Sequence, residues 1–230
     1  MMNTADEARR QLAAALAKGF DSGVSPQTST TLSRELRHSA VLILFGALDE
    51  VPARPNGGLT VSSELDVLLT RRADHMRHHP GQIAFPGGGV DPGDANLAET
   101  ALREATEETG LNPAGVEIIG SMRAIHIPVS NNLVTPVIGW WHLPSPVAAD
   151  HSESVEVFRV PVAELLRPAA RGTSVLQRGD HAFRGAGFQL GPQFGGHTVW
   201  GFTGMLLSSI FDAVGWAEPW DRSREFSITL

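Results

Sequence analysis

Residues 85–111 read FPGGGVDPGDANLAETALREATEETGL, and the rest of the chain is organised around this stretch. It begins as a tight glycine turn, continues as a short acidic loop and ends as a helix rich in glutamate. A helical residue advances by about 100°, so Glu104, Glu107 and Glu108 share one face. Neighbouring carboxylates repel one another, at about a few tenths of a kcal/mol per pair. Their convergence favours a site for a hard divalent cation over the alternative, a solvated acidic face.

The same helix has a clear apolar side and a clear end. Its apolar side is formed by residues next to the acidic face, which we expect to pack on a core: Ala98, Ala101, Leu102 and Ala105. Arg103 can reach Glu99 and Glu107, four residues away on either side, and would orient one carboxylate. Gly110 stands where a helix ends in the left-handed conformation, and Leu111 follows it to pack.

Residues 103–111, REATEETGL, resemble the second half of the signature of the Nudix hydrolases, which cleave nucleoside diphosphates linked to another moiety. The first half of the signature departs from the family pattern. Ala95 stands where the family carries a glutamate, and Asp94 is the nearest substitute. This departure also supports an alternative, a non-catalytic nucleotide-binding module that has kept the fold.

The resemblance implies roles for the acidic helix. Glu104, Glu107 and Glu108 are then catalytic residues and the ligands of Mg²⁺ or Mn²⁺, and Arg103 is part of the catalytic set. For the fold it implies an α+β chain, a Nudix-like α/β/α sandwich with a mixed β-sheet.

Residues 68–88, LLTRRADHMRHHPGQIAFPGG, lie directly upstream and are similar to a second signature, that of the coenzyme A pyrophosphatase branch. The positions that match it are Leu68, Leu69, Thr70, Arg77, Gly81, Phe85, Pro86, Gly87 and Gly88. Ala73 stands where that signature has serine. The branch also shares the longer spacing between the glycine turn and Arg103.

We therefore expect the upstream segment to contribute to substrate binding through Arg71, Arg77, Gly81, Phe85, Gly87 and Gly88. A guanidinium can bind phosphate through two parallel hydrogen bonds, and coenzyme A carries a 3′-phosphate besides its diphosphate. The alternative is a solvated loop whose arginines balance the acidic helix. His75, His78 and His79 lie in the same loop without the spacing of a metal site.

The implied reaction is metal-dependent attack of water on the diphosphate of coenzyme A, giving 4′-phosphopantetheine and adenosine 3′,5′-bisphosphate. Glu153 and Glu156, in HSESVEVF, are the candidate general bases outside the helix. A Nudix hydrolase for ADP-ribose, NADH or another dinucleotide is the runner-up. The preference for free or acylated coenzyme A stays open.

Composition limits the other classes of function. The chain has 230 residues, a net charge of −7 and no cysteine, so non-specific nucleic-acid binding, disulfides and thiol catalysis are not expected. No apolar run is long enough to span a membrane, and no signal peptide is recognisable. We expect a cytoplasmic protein that acts on a small molecule.

The resemblance covers about residues 37–216, which implies a Nudix hydrolase domain there, with an N-terminal helical arm and linker over 1–36 and a C-terminal tail over 217–230. Thr4 and Glu7 have capping-box spacing, and we expect the helix over 4–19 to serve in packing or in a homodimer contact. Buried strands are predicted over 39–48 and 65–71. The glycine-rich stretch 185–196 is a candidate lid on glycine content alone.

Overall fold

The computed structural model describes residues 4–22, 36–47, 64–76, 79–128 and 130–229. The helices are α1 (Ala5–Lys18), α2 (Leu97–Thr109), α3 (Val162–Leu166) and α4 (Gly201–Ala213). The strands are β1 (Arg37–Ala47), β2 (Leu65–Arg72), β3 (Ile83–Ala84), β4 (Gly87–Gly89), β5 (Val116–Ser121), β6 (Ile125–Ile127), β7 (Asn132–Trp141), β8 (Ser154–Pro161), β9 (Arg171–Arg178), β10 (His181–Gln189), β11 (Thr198–Val199) and β12 (Glu225–Ile228). The predicted connector over 25–33 and the predicted loop over 49–60 lie outside the described residues.

A mixed sheet of eight strands forms the centre of the molecule, with the path β3-β2-β1-β7-β5 and with β4, β6 and β8 attached to it. β1 and β7 pair in parallel from Arg37 opposite Asn132 to Gly46 opposite Trp141. β1 pairs with β2 and β4 in antiparallel fashion. The predicted mixed sheet and α+β class are confirmed.

β1 separates two apolar layers because its successive side chains point to opposite faces of the sheet. Leu42 and Leu44 pack with Ala101 and Ala105 of α2 on one side. Ile43 and Phe45 belong to the larger core on the other side. The predicted apolar face of the glutamate helix is therefore confirmed, and α2 is fixed directly over β1.

A second sheet has the order β11-β10-β9-β12. It contains β12, a strand within the predicted tail, which pairs in parallel with β9. The glycine-rich segment predicted as a candidate lid contributes to β10, where a side chain at Gly187 would press on Phe226 at 3.1 Å. The glycines of residues 185–189 therefore belong to a sheet, and the lid stays a prediction for the rest of the segment.

Helix α1 lies against the core of its own chain. Thr4 caps it by accepting a hydrogen bond from the Glu7 amide, as the spacing predicts. Ala8 and Leu12 are fully buried in the main core, and Gln11 accepts a hydrogen bond of 2.6 Å from the Trp216 indole. Of the two roles predicted for this helix, the structure shows packing, and the homodimer stays a prediction. None of the described helices combines the length and apolar character that a membrane crossing requires.

Candidate active site

The glutamate helix α2 is closed at both ends by the residues that its sequence provides. The Asn96 side chain accepts hydrogen bonds from the amides of Ala98 and Glu99. Gly110 adopts the left-handed conformation at φ 67°, and its amide donates to the Thr106 carbonyl. The helix thus ends at the glycine that the sequence indicates, and the register of its carboxylates is fixed.

The three predicted metal ligands lie at different depths on this helix. Glu108 is 4% exposed, the Glu104 side chain is 15% exposed and the Glu107 side chain is 59% exposed. The acidic face therefore runs from the interior out to solvent. A solvated acidic face, the alternative considered above, does not describe Glu104 and Glu108.

Glu108 is a buried carboxylate with one free oxygen. Its Oε2 accepts a hydrogen bond of 3.0 Å from the Ser154 hydroxyl. Its Oε1 is buried and has no hydrogen-bond partner among the described residues. Burial raises the pKa of Glu108 to about 7, against the opposing effects of the Ser154 hydroxyl, the nearby Arg72 charge and the Gly87 backbone amide. A buried oxygen of this kind is suited to a ligand that the chain itself does not supply.

Glu104 lies directly against the glycine turn. A Cβ atom at Gly88 would stand 2.3 Å from the Glu104 Oε2 atom, so this position has room for glycine alone. A Cβ atom at Gly87 would stand 2.4 Å from the Ala40 carbonyl oxygen of β1. We expected these glycines to admit a substrate; the close approaches seen are to Glu104 and to β1.

Arg103 connects the acidic loop to the acidic helix. Its Nε and Nη2 atoms each lie 3.0 Å from the Asp94 carboxylate, and its Nη1 atom donates to Glu104 at 2.9 Å and to Glu107 at 3.2 Å. Arg103 holds the pKa of Asp94 well below its usual range. Asp94 therefore occupies the position for which it was predicted as a substitute. Of the two glutamates predicted to lie within its reach, Arg103 binds Glu107, while Glu99 accepts a hydrogen bond from the Ala95 amide.

We expect Asp94→Asn to lower turnover by about 10- to 100-fold, because partners of ligand-positioning residues have effects of that size. Arg103 would lose its paired carboxylate and would no longer hold Glu104 and Glu107 in place. Steady-state kinetics on the substrate of the enzyme would measure this loss.

Asp91→Asn is the matched control, since Asp91 lies 3.9 Å from Arg103 and its side chain is 68% exposed. Its turnover should stay within about twofold of the wild type, as for most exposed ion pairs. Equal losses in the two variants would contradict the role given to Asp94.

Glu153 approaches the acidic helix from the loop before β8. The Asp150 carboxylate accepts hydrogen bonds from the amides of Glu153 and Ser154, and the Glu153 carbonyl accepts one from the Ala73 amide at 2.8 Å. The negative charge of Glu153 contributes to raising the pKa of both Glu104 and Glu108, after the larger effect of burial. Its carboxylate is therefore near both.

Glu156, the second candidate base, has other partners. Its carboxylate lies 3.6 Å from Arg71 and 3.5 Å from His197. Arg71 also binds Asp74 at 2.7 Å, so its guanidinium is already shared by two carboxylates. Glu153 is the better placed of the two candidates for chemistry at α2.

The remaining predicted binding residues divide into three cases. Phe85 is 3% exposed and packs in the core, and its part in substrate binding stays a prediction. Gly81 has φ 66°, a turn conformation suited to glycine, and a Cβ atom there would stand 2.9 Å from Asp74. Arg77 lies outside the described residues, and its role stays a prediction.

Three residues near the carboxylates were not predicted. Ser154 binds Glu108, Asp150 organises the loop of Glu153, and Arg72 acts on Glu108 through its charge. The sequence contained one signal for them. The stretch Asp150-His151-Ser152-Glu153 begins with an aspartate, which favours a turn in which the carboxylate accepts nearby amides.

The donor atoms of α2 are of the kind that a hard divalent cation prefers. Glu104, Glu107 and Glu108 supply only oxygen atoms, and the buried Oε1 of Glu108 lacks a partner within the described ranges. Within those ranges no three acidic or histidine side chains are placed to hold an ion as they stand. Arg103 binds two of the three glutamates. The donor chemistry fits the cation. When the cation is bound, Glu104 and Glu107 would contact both the cation and Arg103.

Comparison with known proteins identifies related chains. A family model described as the NUDIX domain matches residues 54–176. An uncharacterized Nudix hydrolase NudL of Cronobacter sakazakii is 40% identical over 157 residues, which are 68% of this chain and 73% of that protein. One from Enterobacter sp. is 45% identical over 118 residues, which are 51% of this chain and 61% of that protein. The match thus spans less than two thirds of the Enterobacter relative.

Solved structures are similar at a lower level. A Nudix hydrolase from M. smegmatis, RenU, is 23% identical with a TM-score of 0.42, over 56% of this chain and 73% of that one. The NUDIX domain of Shewanella oneidensis NrtR, solved with ADP ribose, is 19% identical with a TM-score of 0.41, over 61% of this chain and 82% of that one.

Proposed function

This chain belongs to the Nudix hydrolase family, whose members act on pyrophosphate bonds, and from that premise we propose that it hydrolyses the diphosphate of coenzyme A. The products would be 4′-phosphopantetheine and adenosine 3′,5′-bisphosphate. The absence of cysteine agrees with the cytoplasmic location that we propose for it.

The observation that supports the proposal is that carboxylates and arginine guanidinium groups lie close together at the candidate site. Glu108 of α2 is close enough to Arg72 for the arginine to lower its pKa against the effect of burial. Arg71, the residue before it in β2, lies opposite Glu156 of β8, with 3.6 Å between the guanidinium and the carboxylate. Carboxylates that can bind a cation are thus next to guanidinium groups that can bind phosphate, as hydrolysis of a diphosphate requires.

Members of this family generally need divalent metal ions. In our proposal Glu104, Glu107 and Glu108 would hold Mg²⁺ or Mn²⁺. The cation, when bound, would withdraw negative charge from the phosphate oxygens and make the phosphorus easier to attack.

The residues of the chain would perform the remaining tasks. Arg103 keeps Glu104 and Glu107 oriented, and Ser154 keeps Glu108 oriented. The Glu153 carboxylate would accept the proton of the attacking water. Its backbone is held by the Asp150 carboxylate on one side and by the Ala73 amide on the other. Arg71 and Arg77 would bind phosphate groups, with the 3′-phosphate of coenzyme A as the specificity element.

The test is product analysis by chromatography after incubation with Mg²⁺ or Mn²⁺ and one of four substrates: coenzyme A, dephospho-coenzyme A, ADP-ribose or NADH. We expect adenosine 3′,5′-bisphosphate and 4′-phosphopantetheine from coenzyme A to form fastest. Dephospho-coenzyme A should react with a KM about tenfold higher, the effect of one lost charge-assisted contact.

Faster cleavage of ADP-ribose or NADH would contradict the coenzyme A assignment and keep the pyrophosphatase assignment. Absence of cleavage in all four reactions would instead favour the non-catalytic module, the alternative that Ala95 in place of the family glutamate supports. Omission of the metal is the control, and it should abolish product formation.

A further inference from the structure

A cavity of about 710 Å³ lies between the second sheet and α4, and it shares no lining residue with α2 or with the loop of Glu153. Its walls include Arg171, Arg184, Arg222, Ser208, Asp212 and Trp220. The volume is within the range of pockets that hold small molecules, about 300–1,000 Å³. The function proposed above gives this cavity no role.

Arg171 is the central feature of this cavity. Its side chain is 1% exposed, yet only its Nη2 atom has partners, the Ser208 hydroxyl at 2.7 Å and Asp212 at 3.4 Å. The Nε and Nη1 atoms are buried without a hydrogen-bond partner among the described residues. Its guanidinium lies 5.6 Å from the Phe188 ring centre and 5.0 Å from that of Trp220. The rings stabilise the cation but accept no in-plane hydrogen bond.

The lining of the cavity carries three arginines, Arg171, Arg184 and Arg222, against two aspartates, Asp21 and Asp212. The Arg222 guanidinium lies 5.3 Å from the Trp220 ring centre and is close enough to Arg171 to contribute to lowering its pKa, after the larger effect of burial. Within the described ranges Arg222 forms no ion pair, and Arg184 is already bound to Glu225. Asp212 pairs with Arg171 but is 59% exposed, so water weakens the attraction. A buried cation with unused donors favours an anion as its missing partner.

We propose that this cavity is a second binding site, and that it takes a small phosphate-bearing anion. Arg171 and Arg222 would supply the charge. The Ser208 hydroxyl, which accepts a hydrogen bond from Arg171, would offer its own proton to the phosphate. Guanidinium groups bind phosphate oxygens through strong charge-assisted hydrogen bonds. The site is independent of the diphosphate chemistry at α2, so the proposal does not rest on the proposed function.

The structural alternative is that Arg171 only ties β9 to α4 through Ser208 and Asp212. The two interpretations differ in what they predict for added phosphate. A purely structural arginine would give no saturable response at Trp220.

The experiment follows the tryptophan indole resonances in a ¹⁵N-labelled full chain during titration with inorganic phosphate at constant ionic strength. The chain has five tryptophans, and the Trp220 peak is the one that disappears in Trp220→Phe. We expect this peak to shift saturably with phosphate and to stay in place with chloride.

Arg222→Gln removes an exposed cation and should weaken phosphate binding about fivefold or more, the effect of about one ion pair. Arg178→Gln is the matched control, since Arg178 is also exposed and belongs to β9 but does not line the cavity. Glu108→Gln should leave the phosphate response of Trp220 unchanged, which separates this site from the one at α2.

The proposal is overturned if phosphate at millimolar concentrations gives no saturable shift of the Trp220 peak. It is also overturned if Arg222→Gln and Arg178→Gln bind phosphate equally well, or if Glu108→Gln abolishes the response.

Discussion

Glu108→Gln is expected to reduce the turnover of coenzyme A by about a thousandfold while the chain stays folded, because the loss of a charged group that stabilises the transition state has an effect of that size. Glutamine has the shape of glutamate, so it fits the buried position between α2 and Ser154. It cannot provide the negative charge that a divalent cation needs. The measurement is kcat with saturating Mg²⁺, together with the thermal unfolding midpoint of both proteins.

The unfolding midpoint should change little in this variant. An uncharged side chain is more easily buried than a carboxylate, which offsets any poorer hydrogen bond with Ser154. Glu99→Gln is the matched control on the same helix, because its amide oxygen can still accept the hydrogen bond from Ala95. Turnover in this control should stay within about twofold of the wild type. Full activity of Glu108→Gln would remove Glu108 from the metal site.

The second large effect is expected from Glu153→Gln, with a loss of about a hundredfold or more in kcat, as for removal of a general base. The backbone of Glu153 is held by Asp150 and Ala73, so the glutamine should occupy the same place. The KM for coenzyme A should change little, since the proposed phosphate contacts involve other residues. Steady-state kinetics separates the two parameters.

Glu156→Gln provides the decisive comparison for this assignment. Glu156 binds Arg71 and His197, so its replacement should alter KM more than kcat. A larger fall of kcat in Glu156→Gln than in Glu153→Gln would reverse the assignment of the two residues.

Structural features that depend on residues close together in the sequence could be predicted from the sequence alone. The cap at Thr4, the end of α2 at Gly110 and the burial of Ala101 and Ala105 follow from local spacing, and all are confirmed. Asp94 was named as the nearest substitute for the missing glutamate because it stands one place before Ala95, and the structure pairs it with Arg103. Local geometry of this kind needs no knowledge of the rest of the chain.

Features that depend on distant segments could not be predicted. Phe85 adjoins the glycine turn in sequence, but its side chain is directed into the core by β3 and β4. The contact between Arg71 and Glu156 exists only because β2 pairs with β8. Likewise β12 is too short to be recognised by its pattern, and it forms because β9 offers a free edge.

The parallel pairing of β1 with β7 has a consequence for the order in which the parts of the enzyme fold. These strands are joined only after the long segment between Arg37 and Asn132 has closed, and such distant pairings are slow to form. The glycine turn is attached to β1 as β4, and α2 packs on the same strand. The proposed catalytic residues of α2 therefore lack their support until this closure is complete, so regain of activity after denaturation should lag behind regain of helical signal.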